Sequence, residues 1–322
     1  MMFHTILPFL RPIEQYILDP DISEIMVTGN GPIFIERAGQ LIPVDGVVIT
    51  EEHLEVAVKN IARLLGNDIS ERQPLLESRL PDGSRVAAAL KPTSISGTTL
   101  SIRKFSQRLL SPAELVRVGA FPASLADILA AAVTNHRNIL ISGGTSTGKT
   151  TVLNALATYI EPNERLVVIE DTSELQLPNR NIVRLEARRS QTGFPAVSIK
   201  DLVRHSLRHR PDRIIVGEVR GGEAFDLLQS LNTGHSGTLA TIHASSAELA
   251  LNRLTTCVLE ANTQLPHAAI RSMIADSIHL VLHLIRENGR RSAASLLEVS
   301  GYDTSDDQFR FRELYRTAEP AH

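Results

Sequence analysis

Residues Gly143-Gly144-Thr145-Ser146-Thr147-Gly148-Lys149-Thr150 match the P-loop pattern G-x-x-x-x-G-K-[ST] at every fixed position. Their context constrains the fold more than any other feature of the chain. Asn138-Ile139-Leu140-Ile141 before them reads as a short apolar strand, and Thr151-Val152-Leu153-Asn154-Ala155-Leu156 after them as an apolar-periodic helix. A strand that delivers the chain to a tight glycine turn aims successive backbone N–H groups at one point. The helix N-terminus behind the turn adds partial positive charge there. The expectation is a nucleotide cradled by Gly143, Gly144, Thr145, Ser146, Thr147 and Gly148, with Thr151 closing the run. Lys149 would reach the β- and γ-phosphates, and the Thr150 hydroxyl would ligate Mg²⁺. A glycine turn with no ligand would leave the lysine at its apex unexplained.

A chain of 322 residues can hold two domains with separate cores. Hydrophobic residues at 43% and charged residues at 21% fit an ordinary globular protein, and the formal charge of −3 supplies no global drive toward nucleic acid or anionic lipid. The single cysteine, Cys257, sits in an apolar helical setting and cannot form an internal disulfide, which points to a reducing compartment. No apolar run reaches the roughly 18 residues of a membrane span. The start of the sequence lacks a basic segment and is broken by Pro8, so it is expected to pack on its own domain rather than act as a leader.

The first hundred residues read as mixed α/β. Strands are expected at 22–27, 33–36, 85–90 and 99–103, and a helix at 51–65 with Leu54, Val58, Ile61 and Leu65 on one face. Residues 106–123, with Ser111-Pro112, Gly119 and Phe121-Pro122, form a hinge candidate. This gives domains at 1–108 and 123–322, joined by a linker at 109–122. Beyond it, helix and strand alternate. That pattern calls for a mostly parallel sheet covered by helices, whose ligands bind at the C-terminal strand ends.

Polar residues at those strand ends should converge on the P-loop. Val167-Val168-Ile169 leads into Glu170, Asp171 and Glu174; Glu170 and Asp171 are candidate Mg²⁺ ligands, with helix capping as the bland reading. Arg213-Ile214-Ile215-Val216-Gly217-Glu218 looks like a Walker B strand in which Gly217 replaces the usual aspartate. Glu218 remains as the candidate base that activates water. His243 closes the strand Thr238–Ile242 and is the candidate γ-phosphate sensor. His235 lies eight residues earlier, on the order of 20 Å away in an extended segment, so the two cannot share a metal or a phosphate. Residues 184–213 carry a basic run that includes Arg184, Arg188, Arg189, Arg204 and Arg213. Phe194 is the one Phe, Tyr or Trp within it and the chain has no tryptophan, too little for a stacking platform, so direct nucleic-acid binding is not expected.

Four segments together resemble, in order, the Walker A, Asp box, Walker B and His box of the secretion ATPase superfamily: 143–151, 169–175, 210–224 and 232–244. The length and small N-terminal domain resemble the conjugation and type IV secretion branch, with tight-adherence and type II-like pilus motors as the alternative. The resemblance implies a PAS-like α/β domain followed by a RecA-like P-loop ATPase domain. It also implies ATP and Mg²⁺ as cofactors and a homo-hexameric ring. Such rings work on the cytoplasmic side of the inner membrane, docked to secretion or conjugation channel components. Family arginines from the N-terminal domain reach the phosphates; the matching segment Thr99–Lys104 makes Arg103 the first choice and Arg85 the second. One departure is Ser146-Thr147, where many members carry Gly-Ser. A RecA-like motor stimulated by nucleic acid, and a nucleotide-gated scaffold without turnover, are the competing classes.

Overall fold

Alternating apolar residues build an antiparallel sheet in the first part of the chain. The computed structural model describes residues 6–105, 109–188, 195–287 and 289–317 and divides into two compact units, Met1–Arg108 and Leu109–His322. In the first unit, a short helix α1 (Glu14–Leu18) precedes β1 (Ile22–Thr28), β2 (Ile33–Arg37) and β3 (Gln40–Val44). Helix α2 (Glu51–Leu64) is followed by β4 (Leu75–Arg79), β5 (Arg85–Ala89) and β6 (Thr99–Arg103). The strand order is β3-β2-β1-β6-β5-β4, with every neighbouring pair antiparallel. The α2 residues Leu54, Val58 and Ile61 are fully buried, as their spacing requires. Thr50 caps this helix by accepting from His53 N–H, and Glu51 accepts from both the amide and the hydroxyl of Thr98. Strands β3 and β4 escape the sequence reading because they show little alternation. β3 is exposed along nearly all its length and is a strand only through its pairing with β2.

The second unit opens with α3 (Pro112–Arg117), inside the segment expected to be a linker. Its N-terminus carries a Ser111–Glu114 capping box, and Leu115, Ala120 and Phe121 are buried in the core of this unit. Those apolar side chains make residues 109–122 part of a packed layer. There follow α4 (Ala123–Thr134), β7 (Ile139–Gly143), α5 (Lys149–Ala157), β8 (Leu166–Glu170), β9 (Ile182–Glu186), α6 (Ile199–Ser206) and β10 (Arg213–Val219). The chain ends with α7 (Glu223–Asn232), β11 (Leu239–Ile242), α8 (Ala247–Leu259), α9 (His267–Ser277), β12 (Leu280–Glu287), β13 (Arg290–Asp303) and β14 (Gln308–Arg316). The sheet order is β14-β13-β12-β7-β11-β10-β8-β9. It is parallel from β12 to β9 and antiparallel through β13 and β14. Two apolar clusters cover the sheet, and Cys257 lies in one of them with its thiol pushed by burial up to about 11, a packing role rather than a reactive one. At the N-terminal rim of β10, Arg213 is 1% exposed. Glu164 holds it through bonds of 2.6 and 2.9 Å, and a third nitrogen donates to the Val133 carbonyl at 2.7 Å.

Candidate active site

The P-loop joins β7, buried along its whole length, to α5. Gly143 adopts φ +156°, and a Cβ there would stand 2.6 Å from both the Leu284 carbonyl oxygen and Thr147 Oγ1, so only glycine fits. Ser146 takes φ +59°, a left-handed conformation that costs a non-glycine residue about 1–2 kcal/mol. The departure from Gly-Ser noted in the sequence therefore falls where glycine would be free of strain. Arg291, at the start of β13, donates its Nε–H to the Ser146 carbonyl at 2.9 Å and braces that turn. Thr147 Oγ1 donates to the Gly144 carbonyl at 3.0 Å.

Lys149 is buried, and its ammonium donates to the carbonyls of Gly143 (3.1 Å) and Gly144 (2.8 Å). Burial lowers its pKa, while the nearby Glu218 charge opposes that shift. Thr150 and Thr151 follow in the first turn of α5, both half-buried. Their backbone and hydroxyl groups stand where the helix dipole is most positive.

Beyond β11 and β10, a line of ionisable groups extends from the lysine. His243 follows the end of β11, with Nδ1 3.4 Å from Lys149 Nζ and Nε2 3.3 Å from Glu218 Oε1. One neutral tautomer serves both contacts, accepting at Nδ1 and donating at Nε2. Burial, and next the Lys149 charge, push the His243 pKa below its ordinary value, which favours that neutral form. Glu218 is also gripped by Arg220, whose Nε donates to Oε1 at 2.6 Å and Nη2 to Oε2 at 3.1 Å. Burial pushes the Glu218 carboxyl up, but the Arg220 fork and charge, with His243 and Lys149, outweigh it and hold the group below the usual glutamate range.

The missing Walker B aspartate has a steric explanation. A Cβ on Gly217 would lie 3.0 Å from Cγ of Glu170 and 3.5 Å from its Cβ and Oε1. The Glu170 side chain fills the space that a larger residue at 217 would need. Glu170, expected as a metal ligand, is instead buried, and its Oε1 accepts from the amides of Glu174 (2.8 Å) and Leu175 (2.9 Å). Burial raises its pKa against the pull of those two N–H groups. Its work is to shape the turn after β8. Asp171 remains more accessible and meets Arg220 at 3.5 Å. Among the described residues no group of three or more His, Cys, Asp or Glu side chains could cage a metal. Thr150 offers a hydroxyl and Asp171 an exposed carboxylate, donor types that suit a magnesium ion which keeps most of its water and leans on phosphate oxygens.

Arg103 and Arg85 belong to the first unit, where they face each other across the β5–β6 ladder; Arg103 also pairs with Glu24 at 3.7 Å. His235 lies before β11, with its Nδ1 3.3 Å from the Ser230 carbonyl, and so at the other end of that strand from His243. The basic run is scattered rather than gathered. Arg184 binds the Leu175 carbonyl, Arg188 the Pro195 carbonyl, Arg204 Asp226 and Arg213 Glu164; Arg189 falls outside the described residues.

Sequence reasoning missed Arg220, Arg291 and the Ser142–His283 pair. Arg220 was legible: in an extended chain residues 218 and 220 share a face, so an arginine two places after the candidate base should meet it. Arg291 and the buried pair Ser142–His283, at 2.9 Å, depend on β12 pairing with β7 and β13 with β12, which no local pattern reveals.

A P-loop after an inner strand of a mostly parallel sheet, with a glutamate and a histidine at the ends of neighbouring strands, defines a RecA-like P-loop ATPase. The chain belongs to the type II/IV secretion system protein family, whose model matches residues 10–315. It is 35% identical over 287 residues to the conjugal transfer protein TrbB of Rhizobium radiobacter, covering 88% of this chain and 85% of that protein. An uncharacterized protein of Methanocaldococcus jannaschii is 39% identical over 246 residues, which cover 74% of this chain and 34% of the relative's length. Among solved structures, the VirB11 ATPase of the Brucella suis type IV secretion system, in complex with sulphate, matches with a TM-score of 0.50 and 30% identity, covering 92% of this chain and 94% of that one.

Proposed function

We propose that this chain hydrolyses ATP to drive conjugative transfer or type IV secretion, as a homo-hexameric ring peripheral to the cytoplasmic face of an inner membrane and docked to channel components. Sequence identity of 35% to TrbB and 30% to a VirB11 ATPase, over most of each chain, supports that branch. Among the described residues, no helix is long and apolar enough to cross a membrane. The observation that carries the chemical reading is the connected set Lys149–His243–Glu218 at the strand ends beside the P-loop.

In this reading the amides of residues 143–148 cradle the phosphates, and Lys149 exchanges its two loop carbonyls for phosphate oxygens. Glu218 accepts a proton from water as the water oxygen bonds to the γ-phosphorus. The bond to the bridging oxygen breaks, and its electron pair leaves with ADP. Neutral His243, touching both the lysine and the base, would register whether the γ-phosphate is present. Thr150 and Asp171 would hold Mg²⁺, which neutralises phosphate charge when bound. Arg103, with Arg85 second, would respond to the phosphates from the N-terminal domain. The scattered basic run gives no support to a nucleic-acid-driven motor. Phosphate release by Lys149→Ala and Glu218→Gln tests the assignment: both should fall at least ~100-fold, and near-wild-type turnover in both would overturn it.

A further inference from the structure

The grip on Glu218 comes from an arginine whose own backbone is unusually well fixed. The amides of Arg220 and Gly221 donate to Glu223 Oε1 at 2.6 and 2.9 Å, and the Arg220 carbonyl accepts from Arg253 at 3.0 Å. The guanidinium therefore projects from a pinned turn at the start of α7. It meets Glu218 as a two-toothed fork, using one lone pair on each carboxylate oxygen. A carboxylate has about four such sites, and His243 takes a second one on Oε1, so the fork sets the plane and torsion of Glu218 while leaving a lone pair on Oε2 for a water. The groups facing Glu218 from other elements are His243 after β11 and Lys149 on α5. Both are cationic or protonatable, and both would pull an unrestrained carboxylate toward the phosphate cradle. Arg220 holds it at both oxygens, with Asp171 balancing part of the arginine's charge at 3.5 Å.

We infer that Arg220 is the positioning residue for the water-activating glutamate, fixing the Glu218 carboxylate between the P-loop lysine and the turn before α7. This rests on Glu218 being the base. The role is specific to a fork. A lysine at 220 would supply charge at one point without defining a plane. A cavity of about 410 Å³ lined by Asp171, Glu218, Arg220 and Glu223 adjoins the guanidinium and can admit a small planar cation.

The test is steady-state hydrolysis by the full-length protein with Arg220→Ala and Arg220→Lys, alongside nucleotide binding measured with a fluorescent ATP analogue. The expected result for Arg220→Ala is a fall in kcat of about 10- to 100-fold, part of the ~10²–10⁴ that general-base catalysis contributes, with the analogue's Kd within about threefold of wild type. Arg220→Lys should recover only a small part. Low-millimolar guanidinium chloride should restore Arg220→Ala several-fold while leaving wild type unchanged. A kcat within twofold of wild type in Arg220→Ala overturns the inference; so does equal loss of turnover and nucleotide affinity without guanidinium rescue. Glu218→Gln run in parallel separates the failures. If it still hydrolyses ATP, the base assignment falls and this inference with it. If it is inactive while Arg220→Ala is not, the inference alone falls.

Discussion

Restoring the Walker B aspartate should damage this protein rather than improve it. Gly217 lacks the left-handed φ that only glycine tolerates, so the backbone accepts a side chain there. The obstacle is the Glu170 side chain, 3.0 Å at Cγ from where a Cβ would stand and tethered through Oε1 to two amides. Relief by a few tenths of an ångström would stretch those hydrogen bonds. Overpacking of this kind costs about 1–3 kcal/mol, and Gly217→Asp adds a second carboxylate beside one whose protonated form burial already favours. At about 2–4 °C per kcal/mol for a domain of roughly 150–250 residues, a cost near 2 kcal/mol lowers the melting transition by about 4–8 °C. Calorimetry on Gly217→Ala, Gly217→Asp, Glu170→Ala and the double variants measures this directly. Glu170→Ala alone is destabilising because it removes the carboxylate that accepts from the Glu174 and Leu175 amides. Combined with Gly217→Asp it should cost at least ~1 kcal/mol less than the sum of the two, because the clash is gone. A Gly217→Asp protein that melts within about 1 °C of wild type, or strictly additive effects, would refute the steric reasoning.

Two further outcomes follow from buried groups away from the P-loop. Glu164→Ala strands the buried Arg213 charge and should cost about 3–5 kcal/mol, a drop on the order of 10 °C in melting temperature, with nucleotide affinity unchanged; replacing both partners with Glu164→Leu and Arg213→Met should recover most of it. A single-variant loss below about 1 kcal/mol would show that the pair is dispensable. His279 accepts the Asn138 amide at Nδ1 (2.8 Å) and must be neutral there, and burial, then the Arg137 charge, lower its pKa. With the folded value below the ordinary ~6.5, the folded state binds fewer protons, so this stability is complete above ~6.5 and is lost as pH falls through the folded value. Urea midpoints between pH 8 and 5 should therefore fall more steeply for wild type than for His279→Gln, and parallel curves would contradict that assignment.

Much of the second unit was legible in the sequence because its signals are local. The strands around Ile139–Gly143, Leu166–Glu170 and Leu239–Ile242 are short apolar runs that end in polar residues, and parallel topology sends such ends to one rim. Lys149, Glu218 and His243 could be named for that reason. Strands β3, β4 and β14 could not, since their state comes from ladder partners rather than from alternation of their own. Residues 109–122 carried turn signals that suggest a linker, yet Leu115 and Phe121 are core side chains, a fact that depends on which surface is near enough to bury them.

The sequence alone determined the ligand chemistry. Glycine spacing, a lysine at the loop apex and a helix start immediately behind it leave a phosphate cradle as the consistent outcome, because backbone geometry and the helix dipole act over a few residues. The tertiary structure decided how the side chains around that cradle divide their work. Glu170 and Glu218 look equivalent in sequence, each an acid at a strand end. Packing buries one beneath Gly217 and ties it to a turn, and sets the other between His243 and Arg220. Burial and the nearest charge set the properties of each carboxylate, and both are fixed by neighbours far away in the chain.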